Sequence, residues 1–224
     1  MKKELVITID GPSGAGKTTV SKTLAARIGY RYIDTGALYR GIALETQERG
    51  IAADDGEAME AACRTIDLRF KIENGDLRLY SGTRDISELI RTPEISMRAS
   101  AVSALAPVRA FLTVLQRRLG EERAVVFEGR DMGTVVFPEA DVKFFLDADT
   151  EIRAERRYLE LKAKGEDLDF EDVKKDLITW DANDSSRKLA PLRPAEDAIH
   201  VDASRIGIDE VVEKMAKVVA EIRA

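Results

Sequence analysis

Cysteine, histidine and long apolar runs are scarce in this chain of 224 residues. The single cysteine, Cys63, excludes an intramolecular disulfide, and we expect it to be a small buried apolar residue in a reducing compartment. The only histidine, His200, lies in a predicted strand, where we expect a structural role. The first apolar run, Leu5–Ile9, is too short for the core of a signal peptide, and no stretch reaches the roughly eighteen apolar residues of a membrane span. We therefore expect a cytoplasmic protein without membrane association.

An excess of positive charge is absent as well. The chain has 35 basic and 41 acidic side chains, which gives a formal net charge of −6. Such a balance argues against a general nucleic-acid binder, so a polyanionic ligand would have to be met by locally clustered arginines. Hydrophobic residues make up 44% and charged residues 34%, an ordinary globular composition whose length suits one domain with an insertion. We expect a monomer with small-molecule partners.

A phosphate-binding loop is the most informative motif. The segment Gly11–Thr18 fits the pattern G-x-x-x-x-G-K-[ST] and follows the apolar run Leu5–Ile9, as a loop between a strand and a helix should. Glycines let backbone N–H groups turn around phosphate oxygens, Lys17 supplies charge near the outer phosphates, and the hydroxyl of Thr18 suits Mg²⁺. The alternative is a glycine-rich turn that matches by chance. The predicted ATP-binding residues are Gly11, Pro12, Ser13, Gly14, Ala15, Gly16, Lys17, Thr18 and Thr19.

Strand and helix patterns alternate along most of the chain, which predicts a three-layer α/β fold with a parallel sheet. The predicted strands are Glu4–Asp10, Arg31–Asp34, Ala124–Glu128, Val142–Asp147 and Ala198–Asp202. The predicted helices are Lys17–Ile28, Ala37–Glu48, Pro107–Gly120, Thr150–Gly165, Phe170–Ala182 and Ile208–Ile222.

One region departs from this order. Two alternating segments, Asp67–Glu73 and Asp76–Tyr80, flank Asn74-Gly75 and predict an antiparallel hairpin with a type I′ turn. The hairpin therefore predicts a core with an appended small subdomain, as an antiparallel insertion around residues 52–92.

The type of phosphate chemistry depends on other residues. The chain has no Asp-x-x-Gly and no Asn-Lys-x-Asp pattern, which argues against a GTPase switch. A phosphoryl acceptor site should contain arginines, because guanidinium groups match phosphate oxygens bidentately. Arginines occur in three motifs. Asp34–Arg40 begins at the end of one predicted strand, Gly129–Pro138 follows another, and the third is Asp184–Leu192.

These three motifs and the phosphate-binding loop together resemble the bacterial cytidylate kinases, in the same order and from about Leu5 to the last helix. The resemblance implies transfer of the γ-phosphoryl group of ATP to CMP or dCMP with Mg²⁺. It also implies that residues 1–36 and 107–224 form a nucleotide-binding core with a short lid around 150–182. Residues 37–106 would then form a monophosphate-binding region that contains the antiparallel insertion around 52–92. Carried over by motif, the acceptor phosphate would be held by Thr35, Arg40, Arg130 and Arg187. The base pocket would be formed by Ser100, Arg109 and Asp131, and the ribose contact by Asp184. The predicted catalytic residues are Lys17, Arg130, Arg187, Arg156 and Arg157.

The sequence departs from the family pattern at Trp180, which stands where an arginine is usual. That substitution leaves the preference between CMP and dCMP open, and Trp180 either stacks on a ligand or packs within the protein. The resemblance also places Arg153, Arg156 and Arg157 in the lid, but their spacing is equally typical of a solvated helix face. Two other functions stay open: a kinase for another small acceptor such as UMP, shikimate or gluconate, and a non-catalytic nucleotide-binding protein.

Overall fold

The computed structural model describes residues 3–73, 76–163, 165–166 and 168–223. The chain forms eight strands and eight α-helices within these residues, together with two shorter helical turns. In chain order the elements are β1 Val6–Asp10, α1 Lys17–Ile28, β2 Arg31–Asp34, α2 Thr35–Glu48, α3 Gly56–Cys63, β3 Leu68–Glu73, β4 Asp76–Ser81, β5 Arg84–Asp85, a 3₁₀ turn Leu89–Arg91, α4 Pro93–Val102, α5 Ala106–Gly120, β6 Val125–Gly129, a π-helical turn Met132–Val136, β7 Val142–Asp147, α6 Thr150–Ala163, α7 Phe170–Ser186, β8 Ile199–Asp202 and α8 Ile208–Arg223.

The chain divides into two compact units, Met1–Tyr32 with Glu122–Ala224, and Ile33–Glu121. The strand β2 spans the point of division. Five strands form one sheet in the order β2-β6-β1-β7-β8. The strand β1 pairs in parallel with β6 and β7, so that Ile7 lies beside Val126 on one side and Val142 on the other. The loop after β1 therefore leaves from the carboxyl edge of the sheet, where ligands of open α/β folds bind.

The core of the first unit lies on one face of this sheet. Ile7 and Ile9 of β1, and Leu5 just before this strand, are fully buried in a cluster with apolar residues of α1 and α8. The intervening residue Thr8 is also buried and faces the π-helical turn, whose Gly133 approaches it closely. The period-2 alternation of a strand thus places apolar groups on one face and the turn on the other.

The second unit combines helices with a small antiparallel sheet. The strands β3, β4 and β5 are neighbours in that order, and residues of β3 pair with β4 from Leu68 opposite Ser81 to Glu73 opposite Asp76. A separate apolar cluster, which includes Leu38, Ile42, Met59 and Leu112, packs α2, α3 and α5 together with these strands. Side-chain carboxylates of Asp34 and Asp55 cap the starts of α2 and α3.

The predicted fold class is confirmed: a parallel sheet carries a separate antiparallel element between its second and third strands along the chain. The helix α2 starts at Thr35 rather than Ala37, because Asp34 accepts the N–H of Ala37. The sequence patterns did not predict α3 or α4 as helices. The predicted type I′ turn at Asn74-Gly75 lies outside the described residues.

The compact units divide at 32/33 and 121/122, whereas the predicted core resumed at 107. The division by function, with its lid around 150–182 and its monophosphate-binding region, stays a prediction. Among the described helices, none is by itself long and apolar enough to cross a membrane. Only the pair Pro93–Val102 and Ala106–Gly120, bent by 100°, meets the criteria of length and composition when taken together.

Candidate active site

The phosphate-binding loop runs from the end of β1 to the start of α1 and needs its glycines. Gly11 has a φ of +151°, and a Cβ atom there would lie 1.9 Å from the carbonyl oxygen of Leu146. Gly14 has a φ of +74° and would meet the backbone oxygen of Arg153 at 2.7 Å. Any larger residue would displace the loop from β7 and α6, because backbone atoms cannot yield as a flexible side chain can.

Lys17 is the first residue of α1 and is almost fully buried. Its ammonium group donates a hydrogen bond of 2.6 Å to the carbonyl oxygen of Pro12, across the loop. Burial and the neighbouring charge of Arg130 lower the pKa of Lys17 from 10.5 to about 7. A phosphate group in the loop would reverse this effect, since an anion favours the charged form of the amine.

Thr18 follows Lys17 and faces an acidic residue. Its hydroxyl donates a hydrogen bond of 2.9 Å to one carboxylate oxygen of Glu128, at the end of β6. The hydroxyl of Tyr32 donates to the other oxygen at 2.6 Å. The pair of Thr18 and Glu128 thus offers hydroxyl and carboxylate oxygens at the start of α1, the type of ligand that Mg²⁺ prefers.

An arginine cluster lies beside the loop in the same compact unit. The carboxylate of Asp184 accepts from Arg130 Nε at 3.0 Å and from Arg187 at 3.1 Å, so it joins two guanidinium groups. Arg130 also donates to the hydroxyl of Ser13 at 2.9 Å, which ties the cluster to the loop. Asp131 is 2% exposed and lies 3.8 Å from Arg187. Arg130 therefore pairs with Asp184 rather than with its neighbour Asp131.

The helices α6 and α7 also contact the loop. Arg153, which is 6% exposed, donates to the carbonyl oxygen of Ser13 at 2.9 Å and forms an ion pair with Asp181. Asp181 in turn accepts the N–H of Ser13 at 3.2 Å. The backbone N–H and the backbone carbonyl of Ser13 are thus both bound by one arginine–aspartate pair.

Two of the three predicted lid arginines, Arg156 and Arg157, lie in different surroundings. Arg156 donates to the carbonyl oxygen of Ala203 at 2.7 Å and reaches that of Ala15 in the loop at 3.4 Å. Arg157 instead pairs with Glu160, one turn further along α6, at 2.9 Å. The structure brings Arg156 to the phosphate-binding loop, and the catalytic role of both residues stays a prediction.

In the second unit, the start of α2 carries a guanidinium group. Thr35 is the first residue of this helix and is buried. Arg40 donates to Asp34 at 2.8 Å, while the same carboxylate caps the helix. A Cβ atom at Gly36 would lie 3.0 Å from the guanidinium of Arg40, so glycine leaves the room that this side chain occupies. Positive charge and a helix N-terminus together suit an anion.

The predicted base-pocket residues of the second unit lie on α4 and α5. Ser100 is half-buried on α4, and its carbonyl oxygen accepts the hydroxyl of Ser103. Arg109 is 8% exposed on α5, with its guanidinium 5.5 Å from the centre of the Tyr39 ring. This cation–π contact fixes the orientation of Arg109 relative to α2.

Three residues singled out by the sequence have simple surroundings. Cys63 is buried, as expected, and burial raises the pKa of its thiol. His200 lies on β8 with its ring 5.6 Å from that of Phe145. Trp180 is half-buried on α7, next to Asp181. The two predicted roles of Trp180, stacking on a ligand and packing within the protein, stay predictions.

Three acidic residues of the site were missed by the sequence reasoning: Asp10, Glu128 and Asp181. Asp10 is the last residue of β1 and Glu128 the last but one of the neighbouring parallel strand β6. That position was the available signal, because such strand ends meet at one edge of the sheet. For Asp181 the sequence has no comparable signal, since its contact with Ser13 spans 168 positions.

The parallel sheet, the loop after its β1 strand and the arginines gathered beside that loop define a P-loop phosphotransferase. Residues 7–221 match the model of the cytidylate kinase family. A cytidylate kinase of Syntrophotalea carbinolica is 50% identical over 221 residues, which cover 99% of this chain and 94% of that protein. The chain belongs to the cytidylate kinase family and is thus a nucleoside monophosphate kinase that uses ATP.

Other similar proteins agree in family or in fold. The cytidylate kinase of Geobacter sulfurreducens is 46% identical over 220 residues, which cover 98% of this chain and 94% of that protein. A solved shikimate kinase from Bacteroides thetaiotaomicron is only 13% identical, with a TM-score of 0.50 over 97% of this chain and 99% of its own. That similarity shows the fold alone.

Proposed function

We propose that this protein transfers the γ-phosphoryl group of ATP to CMP and dCMP. The observation that carries the proposal is the arginine cluster: two guanidinium groups, of Arg130 and Arg187, share the carboxylate of Asp184 beside the phosphate-binding loop. Guanidinium groups positioned in this way stabilise the charge of a phosphoryl group in transfer, which requires alignment and charge more than a general base.

Asp131 supports cytosine as the base. Cytosine presents an exocyclic amine, a hydrogen-bond donor that a carboxylate accepts, whereas uracil presents a carbonyl at the same position. Asp131 is a buried carboxylate in the same compact unit as the loop. Uracil would place one acceptor against another and leave buried polar groups unpaired, which discriminates strongly.

The residues present fit Mg²⁺. In kinases this ion is usually bound by one or two side-chain oxygens together with phosphates of the substrate. The hydroxyl of Thr18 and the carboxylate of Glu128, 2.9 Å apart, supply oxygen atoms of that type at the start of α1. When bound, Mg²⁺ neutralises charge that develops on the phosphoryl oxygens. Glu128 is thus added to the predicted metal residue Thr18.

The remaining assignments are carried by the family resemblance. For Thr35, Arg40, Ser100 and Arg109 it implies contacts with the acceptor nucleotide, and for Arg156 and Arg157 contacts in the transition state. The proximity of Arg156 to the carbonyl oxygen of Ala15 supports its assignment. The assignment of Arg157 is supported by its position on the same helix, α6.

The test is an ADP-release assay with ATP, Mg²⁺ and each of CMP, dCMP, UMP and AMP. We expect turnover with CMP and dCMP, and kcat/KM for UMP lower by about 100-fold because of the acceptor mismatch. Equal or faster turnover with UMP would show that Asp131 does not read the base. Binding of CMP without turnover of any acceptor would support a non-catalytic nucleotide-binding protein.

A further inference from the structure

Asp10 is the last residue of β1 and lies immediately before the phosphate-binding loop. Its side chain is 4% exposed, so it takes no part in the surface of the protein. One carboxylate oxygen accepts the N–H of Met132 at 2.9 Å, and the other accepts the N–H of Gly133 at 2.7 Å. Both oxygens of this buried carboxylate therefore accept hydrogen bonds from two successive backbone N–H groups.

Those two backbone groups begin the π-helical turn Met132–Val136. The first N–H groups of any helical turn have no partner within it, so they need an acceptor from elsewhere. The turn starts directly after Arg130 and Asp131, the residues proposed to meet the phosphate and the base. Turns of this type are rare and frequently lie at functional sites.

The contact is also tightly packed. A Cβ atom at Gly133 would lie 3.1 Å from the hydroxyl oxygen of Thr8, on the same face of β1 as Asp10. Burying the charged carboxylate of Asp10 is unfavourable. Burial and the neighbouring charge of Asp131 raise its pKa to about 6, although Lys17 and the two N–H groups act in the opposite direction. The two hydrogen bonds to the turn offset that cost.

We propose that Asp10 is a positioning residue, which holds the segment of Arg130 and Asp131 in its working orientation by binding the N–H groups of Met132 and Gly133. Since Gly11 follows Asp10 directly, one strand end sets both the ATP loop and the acceptor-binding segment. The inference rests on the proposed function, because it assumes that Arg130 and Asp131 bind the acceptor. It predicts that loss of the Asp10 carboxylate disturbs the acceptor more than ATP.

The variant Asp10→Asn tests this. Asparagine has the same shape but offers one acceptor oxygen, and its NH₂ group would face the second backbone N–H. We expect KM for CMP to rise by about tenfold or more and KM for ATP to change at most about twofold, because displacement of reacting groups by an ångström is costly. The ratio of kcat/KM for CMP to that for UMP should fall as well. A loss of folded protein alone would change none of these three quantities, since it lowers only the concentration of active protein.

Thr8→Val is the matched control. Thr8 lies two residues earlier on the same face of β1, and its buried hydroxyl makes no hydrogen bond among the described residues. We expect unchanged kinetics for this variant. The inference is overturned if Asp10→Asn keeps the wild-type KM for CMP, or if its KM for ATP rises by the same factor.

Two further measurements separate the possible failures. If Asp131→Asn retains the preference for CMP over UMP, the proposed reading of the base is wrong, while the KM values of Asp10→Asn still decide the role of Asp10. If Asp10→Asn does not fold, hydrogen exchange in the wild-type protein decides: the N–H groups of Met132 and Gly133 should exchange at least about 1,000-fold more slowly than in an unstructured peptide. Exchange as fast as in such a peptide would overturn the inference.

Discussion

Replacing Lys17 by methionine should make the protein more stable and abolish its activity. Lys17 is 4% exposed and its charge is opposed by burial and by Arg130, which lower its pKa from 10.5 to about 7. A shift of roughly three units corresponds to about 4 kcal/mol against the folded protein at neutral pH. Methionine has a similar shape and no charge, and it forfeits the hydrogen bond to Pro12, worth about 1 kcal/mol. We expect a net gain of about 2–3 kcal/mol in the free energy of unfolding.

The gain should depend on pH in a defined direction. Between pH 7 and about 10 the unfolded chain keeps the proton on Lys17, whereas the folded protein has lost it, so wild-type stability rises with pH in this window relative to the variant. Below pH 7 the lysine is protonated in both states and the full cost remains. The stability difference between Lys17→Met and wild type is therefore largest at or below pH 7 and shrinks toward pH 9.

Urea unfolding at pH 7 and pH 9, together with turnover, tests this prediction. Activity should fall by at least about 100-fold, because the charge of Lys17 acts on the phosphates in the transition state. A variant that is less stable than wild type at pH 7, or a stability difference that grows toward pH 9, would refute the reasoning. Retained turnover would refute the assignment of Lys17.

Three other changes have defined outcomes. Asp131→Asn should lower the preference for CMP over UMP by about 10–100-fold, since a hydrogen bond to a charged group is worth about 1.5–3 kcal/mol, and equal preference in both proteins would contradict the base reading. Arg153→Lys should lower the free energy of unfolding by about 1–3 kcal/mol, because lysine cannot replace the guanidinium between Ser13 and Asp181. As its control, Arg157→Ala on the same helix should change that free energy by less than about 0.5 kcal/mol, because the side chain of Arg157 is 25% exposed, against 7% for that of Arg153, and its partner Glu160 is 50% exposed. A loss as large as that of Arg153→Lys would show that burial does not decide the effect. Glu128→Gln should raise the Mg²⁺ concentration for half-maximal activity by about tenfold, and an unchanged requirement would exclude the carboxylate from the metal site.

Much of the fold could be predicted from local sequence. The parallel strands are short apolar runs, and the glycines of the loop mark a backbone with positive φ, so β1, the loop and α1 were placed correctly. The helix α4, Pro93–Val102, was missed although the cap by Thr92 and the proline at its first position are start signals that the sequence carries. The two-residue strand β5 is too short for any alternating pattern.

The site was predictable where a motif carries it and not where the tertiary structure does. Arginines near strand ends indicate an anion site. However, Arg130 and Arg187 share the carboxylate of Asp184 only because of the way α7 packs. The hydrogen bonds from Arg153 and Asp181 to the backbone of Ser13 also depend on the tertiary structure, because they join three segments far apart in the chain. Such contacts require the folded structure, since no spacing in the sequence encodes them.

The most direct measurement follows the γ-phosphoryl group itself. With γ-labelled ATP, Mg²⁺ and CMP, products separated by ion exchange during the first turnovers should carry the label in CDP, in a one-to-one ratio to the ADP formed. Label that appears in inorganic phosphate at the same rate with and without CMP would contradict the account, because the arginine cluster would then bind no phosphoryl acceptor.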